Sequence, residues 1–207
     1  MKKILVLNAG SSSIKYQLFE MPQATVLILG LVERIGESSG RIKYKYGDNE
    51  SSTTMPILNH TDGLNLILDM LLKLGVINNL NEIAGIGHRV VHGGEAFFKP
   101  TIITDEVLKA VHQMTPLAPL HNPANLMGIE ISKKLCPKAL QVAIFDTAFH
   151  QTLAPAAFHY AIPQYFYQEF QVRRYGFHGT SHFYVSKQAA EFLKRHYKSF
   201  NLITAHL

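Results

Sequence analysis

Lys3-Ile-Leu-Val-Leu-Asn8-Ala-Gly-Ser-Ser-Ser13-Ile-Lys-Tyr-Gln-Leu-Phe-Glu20 sits at the head of the chain. Its two halves are rich in residues that fit a pleated, half-buried surface, and a Gly-Ser turn separates them, so strands are expected at Lys3 to Asn8 and Ile14 to Glu20. Thr25 to Val32 and Arg41 to Tyr46 read as two further strands, which makes the opening an antiparallel β-meander. The start, a basic pair and then apolar residues, has the look of a signal peptide. The apolar run stops at polar Asn8, so the strand reading is preferred.

Farther along, the apolar residues change period. Leu64, Ile67, Leu68, Leu71 and Leu74 recur at helical spacing, with Gly75 where the helix should end. Ile83 to His88 and Gln141 to Phe145 are short apolar runs of buried-strand type, separated by two helical stretches. Thr104 can cap the first stretch, and Asn122-Pro123 offers a cap and a first-turn proline for the second. A surface loop is expected over Ala154 to Gln164, a third helix over Phe183 to His196 after a turn at Gly179, and a last strand over Asn201 to Leu207. Strands first, then strand and helix in alternation, indicate an α/β fold. No repeat, low-complexity tract or linker divides the chain, and the apolar segment at its end reads as a final strand cut short.

Apolar residues make up 47% of the 207, enough for a well-buried core. The formal charge is +5, yet the basic residues are scattered, apart from Arg173-Arg174 and the group Lys194, Arg195 and Lys198. That pattern fits a solvated surface with an anion site and argues against nucleic acid as a partner. A single cysteine, Cys136, excludes an internal disulfide and a cysteine-rich metal knot, which makes the cytoplasm the default compartment. No apolar stretch nears the roughly 20 residues that a membrane-spanning helix needs.

Five segments can carry chemistry. Asn8 to Lys15 places a glycine, three hydroxyls and a lysine where N–H and O–H groups can converge on phosphate oxygens. It lacks the Gly-Lys-Ser/Thr ending of a Walker A loop, and taken alone it is equally readable as a polar hairpin. Gly87-His-Arg-Val-Val-His-Gly-Gly94 brings Arg89 and His92 out at a strand's end, where α/β proteins place ligands, although Arg89 alone would also suit a surface salt bridge. Leu117 to Pro123 holds His121 beside a helix N-terminus, as an anion contact or a simple cap. Asp146, directly after a strand and next to Thr147, is placed either for a hydrated Mg²⁺ or for a turn. Arg174-Tyr-Gly-Phe-His-Gly-Thr-Ser-His182 can bring backbone close to a ligand. The pairs His88/His92 and His178/His182 have zinc-like spacing, but Gly179 argues against a regular helix and no His-Glu-x-x-His occurs. Gly-x-Ser-x-Gly is absent, and Cys136 falls at a helix end rather than in a site.

Together, in this order and spacing from Met1 to Leu207, these motifs resemble the acetate kinase family of the acetate and sugar kinase, Hsc70 and actin superfamily. The resemblance implies a ribonuclease H-like, actin-like ATPase domain, with 1–207 as the amino-terminal acetokinase domain and a nucleotide-binding carboxy-terminal domain absent. It implies reversible phosphoryl transfer between ATP and acetate, giving acetyl phosphate and ADP, with Mg²⁺ (or Mn²⁺ in its place), in a homodimer with no nucleic-acid or membrane partner. By the same resemblance Asp146, Arg89, His178 and His121 are catalytic, and Arg89, Val91, Leu120 and Phe177 bind substrate. Ser11, Ser13, Lys15 and His206 face the nucleotide phosphates, and Asn8 with Asp146 holds the metal. Acetate is already a nucleophile at neutral pH, so such a reaction needs alignment and charge neutralisation rather than a general base.

The family's Gly-Asn-Gly phosphate loop, its second arginine, its magnesium-binding glutamate and its adenosine pocket have no counterpart in these residues. The chain alone is therefore expected to be inactive or nearly so. A propionate or butyrate kinase is the nearest alternative, because one methylene in an apolar pocket is worth only about 1 to 3 kcal/mol, and Val91 favours acetate. A non-catalytic domain that binds acyl phosphate or dimerises is the other.

Overall fold

The structure, a computed structural model, describes residues 1–206. Its centre is one mixed sheet of eight strands in the order β5-β4-β3-β2-β1-β6-β8-β7. The meander forms as the sequence indicates: β1 (Lys2–Ala9), β2 (Ser13–Met21), β3 (Thr25–Glu33) and β4 (Arg41–Tyr46) pair antiparallel in succession. On its other side β1 runs parallel to β6 (Ile83–Val90), and β6 runs parallel to β8 (Leu140–Phe145).

Period-2 alternation divides the sheet into two faces. Leu5, Leu7, Ile14, Tyr16, Leu18, Ile28 and Val32 point to one face and are buried there. Helix α1 (His60–Lys73) covers them with Leu64, Ile67, Leu68 and Leu71, the stripe read from the sequence. Burying each of these side chains contributes roughly 1.5–3 kcal/mol. Asn59 caps the helix by accepting from the Asp62 N–H at 2.9 Å, and Gly75 follows the last turn at φ +67°. A second cluster joins Val90, Ala143 and Phe145 to Val107 and Val111 of α2 (Asp105–Gln113) and to Ile129 of α3 (Asn122–Leu135). The α/β fold class is thus the one present, a mixed sheet with flanking helices.

Several local expectations differ from the structure. β5 (Asn49–Thr54) has no apolar alternation and forms only because the Gly47-Asp48 turn folds it back onto β4. β7 (Thr101–Ile102) is two residues long and pairs antiparallel with β8. Within 154–164 lies a short helix, α4 (Pro155–Phe158), because Phe158 turns inward and is buried. Next comes α5 (Tyr165–Phe170). The third expected helix is α6 (Gly179–Phe192), four residues earlier at each end than Phe183 to His196. Asn201 to His206 is not a strand, since it pairs with none among the described residues; Leu207 lies outside them. No helix described is long and apolar enough to cross a membrane.

The core carries one polar knot. His88 on β6 bonds through Nε2 to Gln141 Oε1 at 2.7 Å, and Ser132 of α3 donates to the same oxygen at 3.2 Å. Burial lowers the His88 ring from 6.5 to about 4, so it stays neutral in the fold. Burial also brings His92 to about 4. The unfolded chain takes up these protons below about pH 6.5 and the folded chain only near 4, so stability is full above that window and falls as pH drops through it. We expect urea unfolding to show about 3 kcal/mol lost between pH 6.5 and 4 on account of His88. His88→Leu should flatten that slope.

Candidate active site

Parallel strands β6 and β8 end side by side, with Arg89 opposite Ile144 and Val90 opposite Phe145. The next residue, Asp146, extends the ladder by donating its N–H to Val90 O at 2.9 Å. Arg89 and Asp146 therefore meet at the carboxyl edge of the sheet. Arg89 donates from Nε at 2.9 Å and from Nη2 at 2.5 Å, both to Asp146 Oδ2. Its Nη1 reaches Asn8 Oδ1 at 3.4 Å, which brings the end of β1 into the group. Asp146 Oδ1 accepts from Thr180 Oγ1 at 3.1 Å. The carboxylate is 1% exposed and the guanidinium about a third exposed, so the pair is buried on the acid side and open on the base side. Three N–H bonds of the guanidinium are engaged in these contacts, of the five it has to donate.

A cavity of about 360 Å³ opens over this pair, lined by Arg89, Val91, Leu117 to His121, Asp146, Phe177 and His178. All seven residues assigned from the sequence to catalysis and substrate binding meet there. Val91 is a buried wall, whereas Leu120 and Phe177 stand at the mouth, 77% and 50% exposed. His121 occupies the N-cap of α3 with no side-chain capping bond, which leaves its imidazole free for the cavity. Asn122, expected to cap that helix, is wholly buried and bonds instead to the main chain of His92 and Val111.

His178 owes its place to two glycines. It sits at the N-cap of α6 in the left-handed region (φ 55°), a conformation that costs a residue with a Cβ. Gly179 donates to Asp146 O at 2.8 Å, and a Cβ on it would collide with that same carbonyl. Gly176, at φ +78°, lies against the His150 ring, where a Cβ would come within 2.5 Å. Gly179, read as evidence against a regular helix, is instead the first residue of α6. Farther back, buried Arg173 pairs with Glu95 and lies 3.6 Å from the centre of the Phe158 ring, and the Tyr175 ring meets His92 edge-on at 4.3 Å. These contacts clamp the turn onto the loop that follows β6.

Of the residues assigned to the nucleotide side, Ser11, Ser13 and Lys15 lie apart from the cavity, whereas His206 packs against one of its lining residues. Ser11 is exposed at the tip of the β1–β2 turn and Ser13 is half-buried below it. Lys15 sits across from Asn8 on the second face of the sheet, in a trough shared with Val6, Gln17, Leu29, Leu31 and Lys43. His206 stacks on His178 with ring centres 4.1 Å apart and bonds to Ser181 Oγ at 3.0 Å. In the turn itself three carbonyls are committed to other segments: Ala9 O accepts from Asn125, Gly10 O meets His60 Nε2 at 2.7 Å, and Ser12 O accepts from Ile35 N–H at 3.0 Å, while Gly10 donates its N–H to Ser13 O at 2.8 Å.

For Mg²⁺ the donor chemistry fits. One carboxylate, Asp146, and one amide oxygen, Asn8, are brought to the same guanidinium, from which both accept, and a hydrated Mg²⁺ takes one or two carboxylates with phosphate oxygens completing its shell. Among the described residues no three His, Cys, Asp or Glu side chains group as a metal cage.

Sequence reading misses Asn125 and Thr180. Asn125 does leave a sign, a polar residue on the inward stripe of α3 with Ile129 and Ser132. Thr180 leaves none, since only the fold of the Gly176 to Gly179 turn carries it to Asp146. Arg89→Met would leave the buried Asp146 carboxylate with Thr180 alone. It should cost about 2 kcal/mol in urea unfolding at neutral pH, and Asp146→Asn less.

Residues 3–207 match the model of the Acetokinase family. An acetate kinase of Thermotoga maritima is 52% identical over 207 residues, covering 99% of this chain and 51% of that protein. One from Bacillus subtilis is 48% identical, with 100% and 52% covered. Among solved structures, Porphyromonas gingivalis acetate kinase superposes with a TM-score of 0.89 at 46% identity, over 95% of this chain and 50% of that one. A Francisella tularensis propionate kinase gives 0.89 at 39% identity, over 94% and 50%. The chain spans about half the length of the curated relatives it matches.

Proposed function

The chain belongs to the acetokinase family, and on that premise we propose that it supplies the acyl and phosphoryl half of an acetate kinase site. The reaction is reversible phosphoryl transfer between ATP and acetate. The observation that carries this reading is the convergence of Arg89, Asp146, His121 and His178 on one cavity with the apolar residues Val91, Leu120 and Phe177. Such a cavity has an apolar end for a methyl group and a cationic end for a carboxylate or phosphoryl group.

In this reading Arg89 orients the acyl oxygen and spreads the developing charge, and His178 and His121 donate to the phosphoryl oxygens. Asn8 and Asp146 would hold Mg²⁺, which would neutralise phosphate charge. The serines of the β1–β2 turn, Lys15 and His206 face the nucleotide phosphates. Two anions must meet for transfer to occur, so the contribution of these side chains is alignment and neutralisation in a site that excludes water. Leu120 and Phe177 stand too exposed to exclude water by themselves, in keeping with little or no turnover from the 207 residues alone. The full-length protein would act as a cytoplasmic homodimer, and the single buried Cys136 suits a reducing compartment.

The likeness to a propionate kinase keeps a second acyl substrate in view. Val91 bounds the apolar end, and its size decides how much room there is. A coupled assay with ATP and acetate should detect little or no turnover from the 207-residue chain, and near-normal turnover would overturn that half of the proposal. In a full-length chain carrying this sequence, Val91→Ala should raise kcat/KM for propionate relative to acetate by about tenfold or more. An unchanged ratio would remove Val91 from the specificity wall.

A further inference from the structure

Asn125 is 4% exposed, lies one turn into α3, and touches neither the cavity nor solvent. Its side chain is nevertheless committed at both ends to the backbone of two separate site segments. Oδ1 accepts from the Val91 N–H at 3.0 Å, and Nδ2 donates to Ala9 O at 2.8 Å. These partners fix which way the amide points, because an N–H faces one end and a carbonyl the other. Both backbone groups lie at ends of sheet pairing: Ala9 closes the register of β1 with β2, and Val91 is the residue after β6. An apolar side chain of the same size would fill the space and leave both groups unpaired.

We propose that Asn125 is a positioning residue that holds the Val91 wall of the cavity at a fixed distance from the Asn8-Ala9 strand end, and so sets the fit of the acyl group against Arg89. The inference rests on the cavity being an acyl phosphate site. Asn122 makes a neighbouring tie, in which its Oδ1 accepts from His92 N–H at 3.1 Å and its Nδ2 donates to His92 O and Val111 O, each at 3.0 Å. That tie joins the loop to α2, away from the phosphate turn. Among the described side chains Asn125 is the one that bonds to both the substrate wall and β1. Arg89, two residues before Val91 on the same strand end, also bonds to Asn8, so slack between Ala9 and Val91 would strain that bond and move the guanidinium relative to the wall.

Positioning and mere stability differ in one measurable way. The wall meets the acyl group, whereas inorganic phosphate needs only the cationic end, so a displaced wall should weaken acetyl phosphate more than phosphate. A generally loosened fold would weaken both alike. The test titrates the ¹⁵N-labelled 207-residue chain with acetyl phosphate and separately with inorganic phosphate, following the Arg89 Nε–H and Val91 N–H resonances. Asn125→Ala should weaken acetyl phosphate about tenfold and phosphate less than about threefold, within the reach of one apolar contact. Asn125→Asp keeps the acceptor for Val91 and loses the donor to Ala9, and should fall between wild type and Asn125→Ala.

Equal losses for the two probes, or unchanged affinity for both, would overturn the positioning role and leave the site reading intact. Absence of any acetyl phosphate response at Arg89 in the unsubstituted chain would overturn both. Failure of both variants to fold would assign Asn125 to stability alone, and that too would overturn the proposal.

Discussion

The Arg89–Asp146 pair is the interaction on which the rest of this architecture depends. A carboxylate sealed from water needs a compensating charge and full hydrogen bonding, and here a guanidinium and the Thr180 hydroxyl supply them. The pair exists only because β6 and β8 run parallel and end in register. That in turn requires the meander to pack β1 against β6 and the helices to cover one face. Charge and fold are therefore one problem: a shift of a single residue in the β6–β8 register would turn Arg89 to the opposite face of the sheet.

Legibility in the sequence follows the physics of each segment. The meander, α1 and the two parallel strands are readable because burial on one face or both leaves periods of 2, 3.6 or none. β5 is not, because Asn49 to Thr54 carries no apolar residue and is held by pairing alone. The start of α6 is hidden for a related reason. Gly179 weakens a helix by propensity, but its missing Cβ is what lets the backbone lie on Asp146 O, and tertiary contact outweighs about 1 kcal/mol of propensity.

Much the same holds for the site. The motifs group Arg89, His121, Asp146 and His178, the resemblance adds Val91, Leu120 and Phe177, and all seven line one cavity. What sequence does not reveal is the amide scaffolding behind them. Asn122 looks like a cap because Asn-Pro at a helix start usually is one, yet its side chain points inward to backbone brought from 30 residues away. Such ties are contacts between remote segments, and neither period nor composition records them.

The cavity's walls differ in what fixes them, and that difference has an evolutionary consequence. The inner walls are dictated by backbone: the turn that carries His178 by glycines at 176 and 179 that admit no Cβ, and the Val91 side by buried amides at 122 and 125 whose partners are peptide groups. Substitution there meets a steric or a desolvation penalty. Leu120 and Phe177 at the mouth are constrained by neither. A lineage built on this scaffold can thus drift at the cavity's mouth while the walls behind it stay fixed, so the rim is the variable part of the design and the interior the inherited part.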